Sequence, residues 1–135
     1  MRTARSDTII TVPQSCPCQR GLSYDQCCGP FLGGTAFAPT AERLMRSRYS
    51  AFALQNKDYL LRTWHPSTRP AALELDPEIL WIRLAILGGT GGGLLDNRGT
   101  VDFRADFRVG ANVRSVRENS LFRRQAKSWY YVGPT

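Results

Sequence analysis

Apolar residues recur at helical spacing between residues 40 and 55. On a wheel of about 100° per residue, one face collects the apolar side chains: Ala41, Leu44, Met45, Tyr49, Ala51 and Phe52. The opposite face is polar and carries Arg43, Arg46 and Ser50. Thr40 can serve as the N-cap, and Glu42 adds negative charge to the first turn. The pattern predicts a long amphipathic helix that packs through its apolar face.

A second, shorter helix is predicted to begin at Asn56. It runs through Trp64 and ends at Pro66, because proline disfavours a helical conformation in the residue before it. From Leu80 onward the period changes from helical to two. Residues 80–87 are almost continuously apolar, which predicts a buried strand. Residues 88–99 form a glycine-rich connection that we expect to be loose.

Residues 100–109 alternate between apolar and charged side chains. That alternation is typical of an antiparallel strand with one face on the core and one face in water. Two more strands are predicted at 113–122 and 128–132, each preceded by a turn. Helices followed by four consecutive strands indicate an α+β fold. We expect the long helix to pack on a curved, four-stranded antiparallel sheet.

The length of 135 residues fits one ordinary domain. We divide the chain into an N-terminal segment, residues 1–34, and an α+β domain, residues 35–135. The apolar run at 8–12 is too short for a signal peptide or a membrane span, so we expect a cytoplasmic protein without membrane contact. The formal charge is +7, and only Lys57 and Lys127 among the 18 basic residues are lysines. Arginine suits recognition of carboxylate or phosphate, but a GC-rich genome gives the same composition.

All four cysteines lie within thirteen residues: Cys16, Cys18, Cys27 and Cys28. Four thiolates at this spacing suit a tetrahedral Zn²⁺ site, whose all-cysteine form is closed and structural. Disulfides and four unconnected core cysteines are the alternatives. The neighbours Cys27 and Cys28 can pair with each other only through a strained ring, whereas crossed pairs to the first two cysteines stay open. A reducing cytoplasm favours metal over disulfides, so Zn²⁺ is the expected cofactor.

The cysteine spacing resembles the SEC-C motif, the zinc hook known from the C-terminal tail of the SecA translocation motor. Gln19-Arg20 departs from that motif, which usually has Gly-Ser after the second cysteine. Longer stretches are similar to the YchJ-like bacterial family: CCGP at 27–30, APTAE at 38–42, LMRSRYSA at 44–51 and TWHPSTRP at 63–70. The family resemblance implies a nuclear transport factor 2-like (cystatin-like) roll after the hook. Such a roll usually encloses a pocket between helix and sheet, although a fold alone assigns no function.

Arg48 lies in the middle of the apolar helix face, so its guanidinium must find an anion or reach the surface. Glu118 is the expected partner, because it shares a strand face with the apolar Val116 and Phe122. A buried structural Arg–Glu ion pair is one interpretation. The same two residues can instead bind the carboxylate or phosphate of a small ligand.

His65 is the only histidine and lies beside Trp64 in a polar loop. At the mouth of a pocket it can act as a general base or as a hydrogen-bond donor to a ligand. Capping the C-terminus of the preceding helix is the simpler structural role. The pocket candidates are therefore Arg48, Trp64, His65 and Glu118, and no residue is assigned as catalytic.

Three functions are compatible with these features. The first is a zinc-binding protein-interaction module, for which the SecA tail is a precedent by resemblance, because its hook binds a partner chaperone. The second is a small-molecule binder or enzyme built on the pocket candidates, and we favour a non-enzymatic role. The third is contact with RNA or the ribosome, which would show as steep salt dependence of binding. It would use basic residues of the last hairpin: Arg114, Arg117, Arg123, Arg124 and Lys127.

Overall fold

The computed structural model describes residues 14–135. The apolar run at 8–12 lies outside the described residues. In the described part, three α-helices precede four β-strands, which is the predicted α+β order. Their bounds are α1 Gly29–Leu32, α2 Ala41–Ala53, α3 Lys57–Arg62, β1 Ile79–Gly91, β2 Arg98–Val109, β3 Asn112–Gln125 and β4 Ser128–Pro134. Within residues 14–135, no helix has the length and apolar character needed to cross a membrane.

The helix α2 begins after the predicted N-cap Thr40, and α3 begins one residue after its predicted start at Asn56. The Thr40 hydroxyl accepts a hydrogen bond from the Arg43 backbone N–H at 3.1 Å. The Asn56 side chain accepts one from the Tyr59 backbone N–H at 3.0 Å. These side chains satisfy backbone donors that the first turn of a helix leaves unpaired. Local capping chemistry therefore fixes where both helices start.

The helix α3 ends at Arg62 and does not continue through Trp64 to Pro66 as predicted. The residues after it pair with β4 instead. His65 N–H donates to the Tyr131 carbonyl at 2.7 Å, and Tyr131 N–H donates to the Thr63 carbonyl at 2.8 Å. This parallel bridge covers one edge of the sheet, and its hydrogen bonds override the local helical preference.

The four strands form one antiparallel sheet in the order β1-β2-β3-β4. The prediction of a buried strand at 80–87 is wrong, because β1 lies at the edge of the sheet and Leu80, Ile82 and Leu87 are exposed. The expectation that the chain is loose from residue 88 is wrong, because residues 88–91 belong to β1 and pair with residues 99–102. The hydroxyls of Thr90 and Thr100 lie 2.7 Å apart across this pair. A Cβ at Gly89 would collide with the carbonyl of Thr100. Glycine at this position allows two strand backbones to approach closely. Because glycine is also common in loops, its presence in the sequence does not indicate a strand.

The predicted apolar face of α2 is buried, with Leu44, Met45, Tyr49 and Ala51 each less than a tenth exposed. The four cysteines belong to the same cluster of buried residues. We call residues 14–32 the hook. Burial of apolar surface, the main favourable term in folding, runs continuously from the hook into the helix and sheet. The division of the chain at residue 34 stays a prediction.

Candidate metal centre and adjoining cavity

The hook is a small β-hairpin followed by a tight turn. Cys16 N–H donates to the Leu22 carbonyl at 3.0 Å, and Tyr24 N–H donates to the Gln14 carbonyl at 2.8 Å. The hairpin holds the first pair of cysteines. One 3₁₀ turn at Tyr24–Gln26 then brings the second pair of cysteines against the first.

The four cysteine sulfurs lie within 4.8 Å of one another, and all four residues are buried. The Sγ atoms of Cys18 and Cys27 are 3.5 Å apart, and those of Cys27 and Cys28 are 3.9 Å apart. A regular tetrahedron with Zn–S bonds of about 2.3 Å has edges of about 3.8 Å, so the spacing fits a four-thiolate metal site. All four cysteines are free rather than paired in disulfides.

The thiols of Cys16, Cys18 and Cys28 interact electrostatically with one another. Hydrogen bonds from Cys18 and then Cys28 lower the pKa of Cys16 well below its usual range. The same contact with Cys16 raises the pKa of Cys18 to about 11 and also raises the pKa of Cys28. One thiolate is thus stabilised by neighbouring S–H groups. A divalent cation bound to all four sulfurs replaces those protons, so metal binding and protonation compete.

The hook packs on the face of α2 that the helical pattern marks as polar. Ser50 is fully buried there, and its hydroxyl lies 3.5 Å from the Sγ of Cys16. Arg46 donates from Nη1 to the Cys18 carbonyl at 3.1 Å. Contacts of this kind orient the ligands of a metal site. These two contacts were not predicted from the sequence. The small side chains of Ser47 and Ser50 are the only feature of the helix pattern that indicates close approach of another segment.

Gln19 joins the hook to the edge of the sheet. Its φ is +63°, a left-handed conformation that glycine adopts more readily. Its side chain donates to the Ile82 carbonyl at 2.6 Å and accepts from the Leu84 backbone N–H at 3.4 Å. Gln19 therefore makes the turn that the SEC-C motif usually makes with glycine, and it adds contacts with β1 that glycine cannot provide.

A cavity of about 260 Å³ lies between α2 and the inner face of the sheet. Its walls are largely aromatic: Tyr49, Phe52, Trp64, Trp81, Phe103 and Tyr131. Arg48 and Glu118 supply its charged groups. Three of the four predicted pocket residues therefore line this cavity, and His65 does not.

Arg48 is only 3% exposed, and its guanidinium is hydrogen-bonded within the protein. Its Nη1 donates to the Leu60 carbonyl at 2.8 Å and to the Thr63 hydroxyl at 2.7 Å. The guanidinium carbon lies 5.1 Å from the ring centre of Trp64 and 4.6 Å from that of Tyr131, and both rings stabilise a cation. Burial lowers the pKa of Arg48 to about 10, so the side chain keeps its charge at neutral pH.

The expected Arg48–Glu118 ion pair is absent from the salt bridges formed among residues 14–135. Glu118 accepts hydrogen bonds from the Tyr131 hydroxyl, at 2.7 Å, and from the Ser120 hydroxyl. Burial and the contact with Glu118 raise the pKa of Tyr131. Tyr131 thus contacts the cation with its ring and the carboxylate with its hydroxyl, in place of a direct pair.

His65 lies outside the cavity and is 7% exposed. Its Nδ1 is 2.8 Å from the Ser67 hydroxyl, and its Nε2 is 2.7 Å from Oε1 of Gln125. These contacts connect the loop after α3 to the end of β3. Both ring nitrogens of His65 are therefore bonded to neutral side chains.

Charged residues on the outer face of the sheet pair with one another. Arg117 forms an ion pair with Asp102 at 2.9 Å. Asp106, only 5% exposed, contacts Arg83 at 2.8 Å and Arg104 at 3.2 Å. Acidic residues therefore interrupt the basic surface, as the alternation along β2 indicates.

Tyr131 lines the cavity although it was not among the predicted pocket residues. Its position is nevertheless indicated by the sequence. It lies two residues after Trp129, which is buried at 2% exposure. A strand places such residues on the same face. The period of β4 alone therefore puts Tyr131 on the inner side of the sheet.

The helix-on-sheet architecture and the hook define a class of protein: a nuclear transport factor 2-like α+β domain that carries a four-cysteine motif. Within this class, residues 40–134 match the family described as "YchJ, middle NTF2-like domain". The chain belongs to this YchJ-like family, which confirms the resemblance seen in its motifs.

Proteins similar to this chain cover most of its length. A UPF0225 protein of Streptomyces coelicolor is 54% identical over 87% of this chain and 91% of its own length. A UPF0225 protein of Streptomyces avermitilis is 51% identical over 97% of this chain and 91% of its own length.

Two solved structures confirm the α+β fold. A SEC-C motif-containing protein from Rhodopseudomonas palustris has a TM-score of 0.78 and 38% identity, covering 89% of this chain and 96% of its own. A SEC-C motif-containing protein from Psychrobacter arcticus has a TM-score of 0.75 and 31% identity, covering 90% and 82%. Both descriptions agree with the four-cysteine hook.

Proposed function

We propose that the hook binds one Zn²⁺ ion through Cys16, Cys18, Cys27 and Cys28. The proposal rests on the packing of four buried thiols within 4.8 Å of one another, a donor set and spacing that suit tetrahedral Zn²⁺. Four sulfurs fill the coordination sphere, so the site is structural and leaves no position for a substrate. Its chemical role is to fix the backbone of a short segment.

In this proposal the metal-bound hook is also a protein-interaction surface. The turn between the cysteine pairs exposes Arg20, Gly21 and Leu22, and the Leu22 side chain is 38% exposed. The charged side chain of Arg20 and the apolar side chain of Leu22 can then bind a partner protein together. The entropy lost on binding is small, because the metal has already ordered the backbone of this turn. The resemblance to the SecA zinc hook supports this role. A cytoplasmic location, where thiols stay reduced, belongs to the same proposal.

Metal analysis tests the first part. The purified protein is expected to carry close to one Zn²⁺ per chain, and replacement of the four cysteines by serine should abolish it, because thiolates are the preferred ligands. Native protein that contains no metal and four titratable thiols would overturn the proposal.

Crosslinking in cell extract, followed by affinity capture, tests the second part. We expect a partner that is captured by the wild type and lost in an Arg20→Glu/Leu22→Asp double variant. Leu95→Asp is the matched control, because Leu95 is 93% exposed and lies in the connection between β1 and β2, outside the hook. The control should keep the partner, and all three proteins should keep their metal. Capture of the same partner by the double variant would exclude this turn as the contact surface.

A further inference from the structure

The cavity between α2 and the sheet contains polar groups that the protein does not pair. Among residues 14–135, the Tyr49 hydroxyl and Nε1 of Trp64 are buried without a hydrogen-bond partner. Both residues line the cavity. Buried unpaired polar groups are rare in folded proteins because each one costs free energy. Two of them around one cavity point to a site for a polar ligand.

The guanidinium of Arg48 places a positive charge on the same cavity. Both of its hydrogen bonds to the protein come from Nη1. Within the described residues, Nε and Nη2 have no hydrogen-bond partner. These two nitrogens form the side of a guanidinium that binds a carboxylate through two parallel hydrogen bonds. The rings of Trp64 and Tyr131 hold the guanidinium in place, so this edge is already oriented before a ligand binds.

Glu118 adds an acceptor on the same cavity. The hydroxyls of Ser120 and Tyr131 both donate to its Oε2 atom. Its Oε1 atom has no hydrogen-bond partner among residues 14–135. A hydrogen-bond donor on a ligand, either an ammonium or a hydroxyl group, would therefore complete the hydrogen bonding of this carboxylate.

The remaining walls are apolar and include Phe52, Trp81 and Phe103. The volume of about 260 Å³ corresponds to roughly nine water molecules at about 30 Å³ each, which is below the range of drug-sized sites. We propose that the cavity binds a small apolar carboxylic acid that carries an amino or hydroxyl group beside its carboxylate. The carboxylate binds Arg48, the amino or hydroxyl donor binds Glu118, and the hydrocarbon body packs on Trp81.

Other ligand classes satisfy fewer of these groups. Inorganic phosphate would pair with Arg48 but would bring negative charge towards Glu118 and leave the aromatic walls uncovered. A simple amine would pair with Glu118 but would bring a second positive charge towards Arg48. The proposal concerns the cavity alone and does not depend on what the hook binds.

Calorimetry and tryptophan fluorescence test the proposal with four probes at millimolar concentration: L-phenylalanine, 3-phenyllactate, 3-phenylpropionate and phenethylamine. Two of the three tryptophans, Trp64 and Trp81, line the cavity, so binding should change the fluorescence. We expect saturable binding of phenylalanine or phenyllactate, and the tighter of the two identifies the amino or the hydroxy acid. Phenylpropionate should bind at least about tenfold more weakly, and phenethylamine should not bind.

Variants assign the contacts. Arg48→Met should weaken binding of the acids at least about tenfold, whereas Glu118→Gln should remove the preference for phenylalanine or phenyllactate over phenylpropionate. Arg62→Met is the matched control, because Arg62 lies over the Tyr59 ring and outside the cavity. It should bind like the wild type.

Because Arg48 also makes structural hydrogen bonds, a second variant is needed. Val116→Trp adds bulk to the cavity wall while keeping both charged groups, and it should abolish binding. Phenethylamine binding as tightly as the acids, unchanged binding in Val116→Trp, or no saturable binding of any acid would each overturn the proposal.

Discussion

The hydroxyl of Ser50 lies 3.5 Å from the Sγ of Cys16, and both residues are buried. Ser50 belongs to α2, the helix that forms the core with the sheet, whereas Cys16 belongs to the hook. A hydrogen bond to a thiolate is strengthened by such a buried environment. This contact therefore links the four-cysteine site to the core of the α+β domain.

Ser50→Ala removes this hydrogen bond without disturbing the helix. We expect metal affinity to fall about tenfold, as is typical when a group supporting a metal ligand is removed, and stability to fall by ~1 kcal/mol. Competition with a chromophoric chelator measures the affinity. Ser47→Ala is the matched control, because Ser47 is equally buried but bonds to Tyr59 and the Leu44 carbonyl. The control should lose stability and keep its metal affinity. Equal affinities for both variants would contradict the role of Ser50.

Removal of the metal tests how far the hook and the domain fold separately. Residues 35–135 contain all four strands, so we expect the far-ultraviolet circular dichroism of the sheet to persist after chelation. The thermal midpoint should nevertheless fall, because the buried cluster includes the cysteines. Acidification should also release the metal, since protons compete for the thiolates. Complete loss of the dichroism signal on chelation would show that the hook and the domain form one cooperative unit.

Substitutions at Gln19 separate backbone strain from side-chain contacts. Gln19→Ala and Gln19→Gly both lose the hydrogen bonds to β1, but only glycine relieves the strain at φ +63°. We expect the alanine variant to be less stable than the glycine variant by about 1 kcal/mol. Urea unfolding of the metal-loaded proteins measures this difference. Equal stabilities would mean that the turn relaxes in solution.

A double-mutant cycle tests the arrangement around Arg48. Arg48→Met should cost about 1–3 kcal/mol, because it leaves the buried Leu60 carbonyl without its donor. Adding Glu118→Leu should not recover that loss, since Glu118 is bonded to Tyr131 and Ser120 rather than to Arg48. Because both side chains contact Tyr131, the coupling energy from urea unfolding should be about 0.5–1 kcal/mol, at the low end of the range for residues in one network. Recovery of most of the loss would show a direct ion pair in solution.

Asp106 gives the fold a dependence on acid. Hydrogen bonds from Ser115 and then Arg83 lower the pKa of Asp106 below its ordinary value of 3.8. A lowered pKa in the folded state contributes stability above pH 3.8, and that contribution is lost as the pH falls through the folded pKa. Asp106→Asn should therefore be less stable than wild type at pH 7, and the difference should shrink below pH 3.8. The midpoints of urea unfolding of both proteins, at pH 7 and below pH 3.8, measure this difference in stability. A difference that does not change with pH would contradict the argument.

Features set by local spacing could be predicted from the sequence. The cysteine cluster, the cap at Thr40, the helix start near Asn56 and the alternation along β2 each depend on residues close together in the chain, and the structure shows all of them. The extension of β1 through residues 88–91 could not be predicted, because glycine has no side chain and therefore cannot show the alternation of apolar and polar residues that indicates a strand.

Features set by the meeting of distant segments needed the structure. Ser50 lies on a polar helix face that normally contacts water, and only the position of the hook makes it buried. The partner of Arg48 depends on where Tyr131 is placed by β4, since an aromatic ring and a carboxylate can both stabilise a buried cation. His65 is directed towards Gln125 by the pairing of its own backbone with β4.

β1 is an edge strand of the sheet, and Gln19 occupies hydrogen-bonding groups at Ile82 and Leu84 that another molecule could otherwise pair with. The opposite edge, β4, is covered by residues 63–65. Open strand edges are templates for aggregation. If the hook binds a metal as proposed, release of that metal would free Gln19 and uncover β1, where Leu80 and Ile82 are exposed. Under the proposed Zn²⁺ binding, zinc starvation or thiol oxidation would thus increase the tendency of this protein to aggregate through β1, with no change in its sequence.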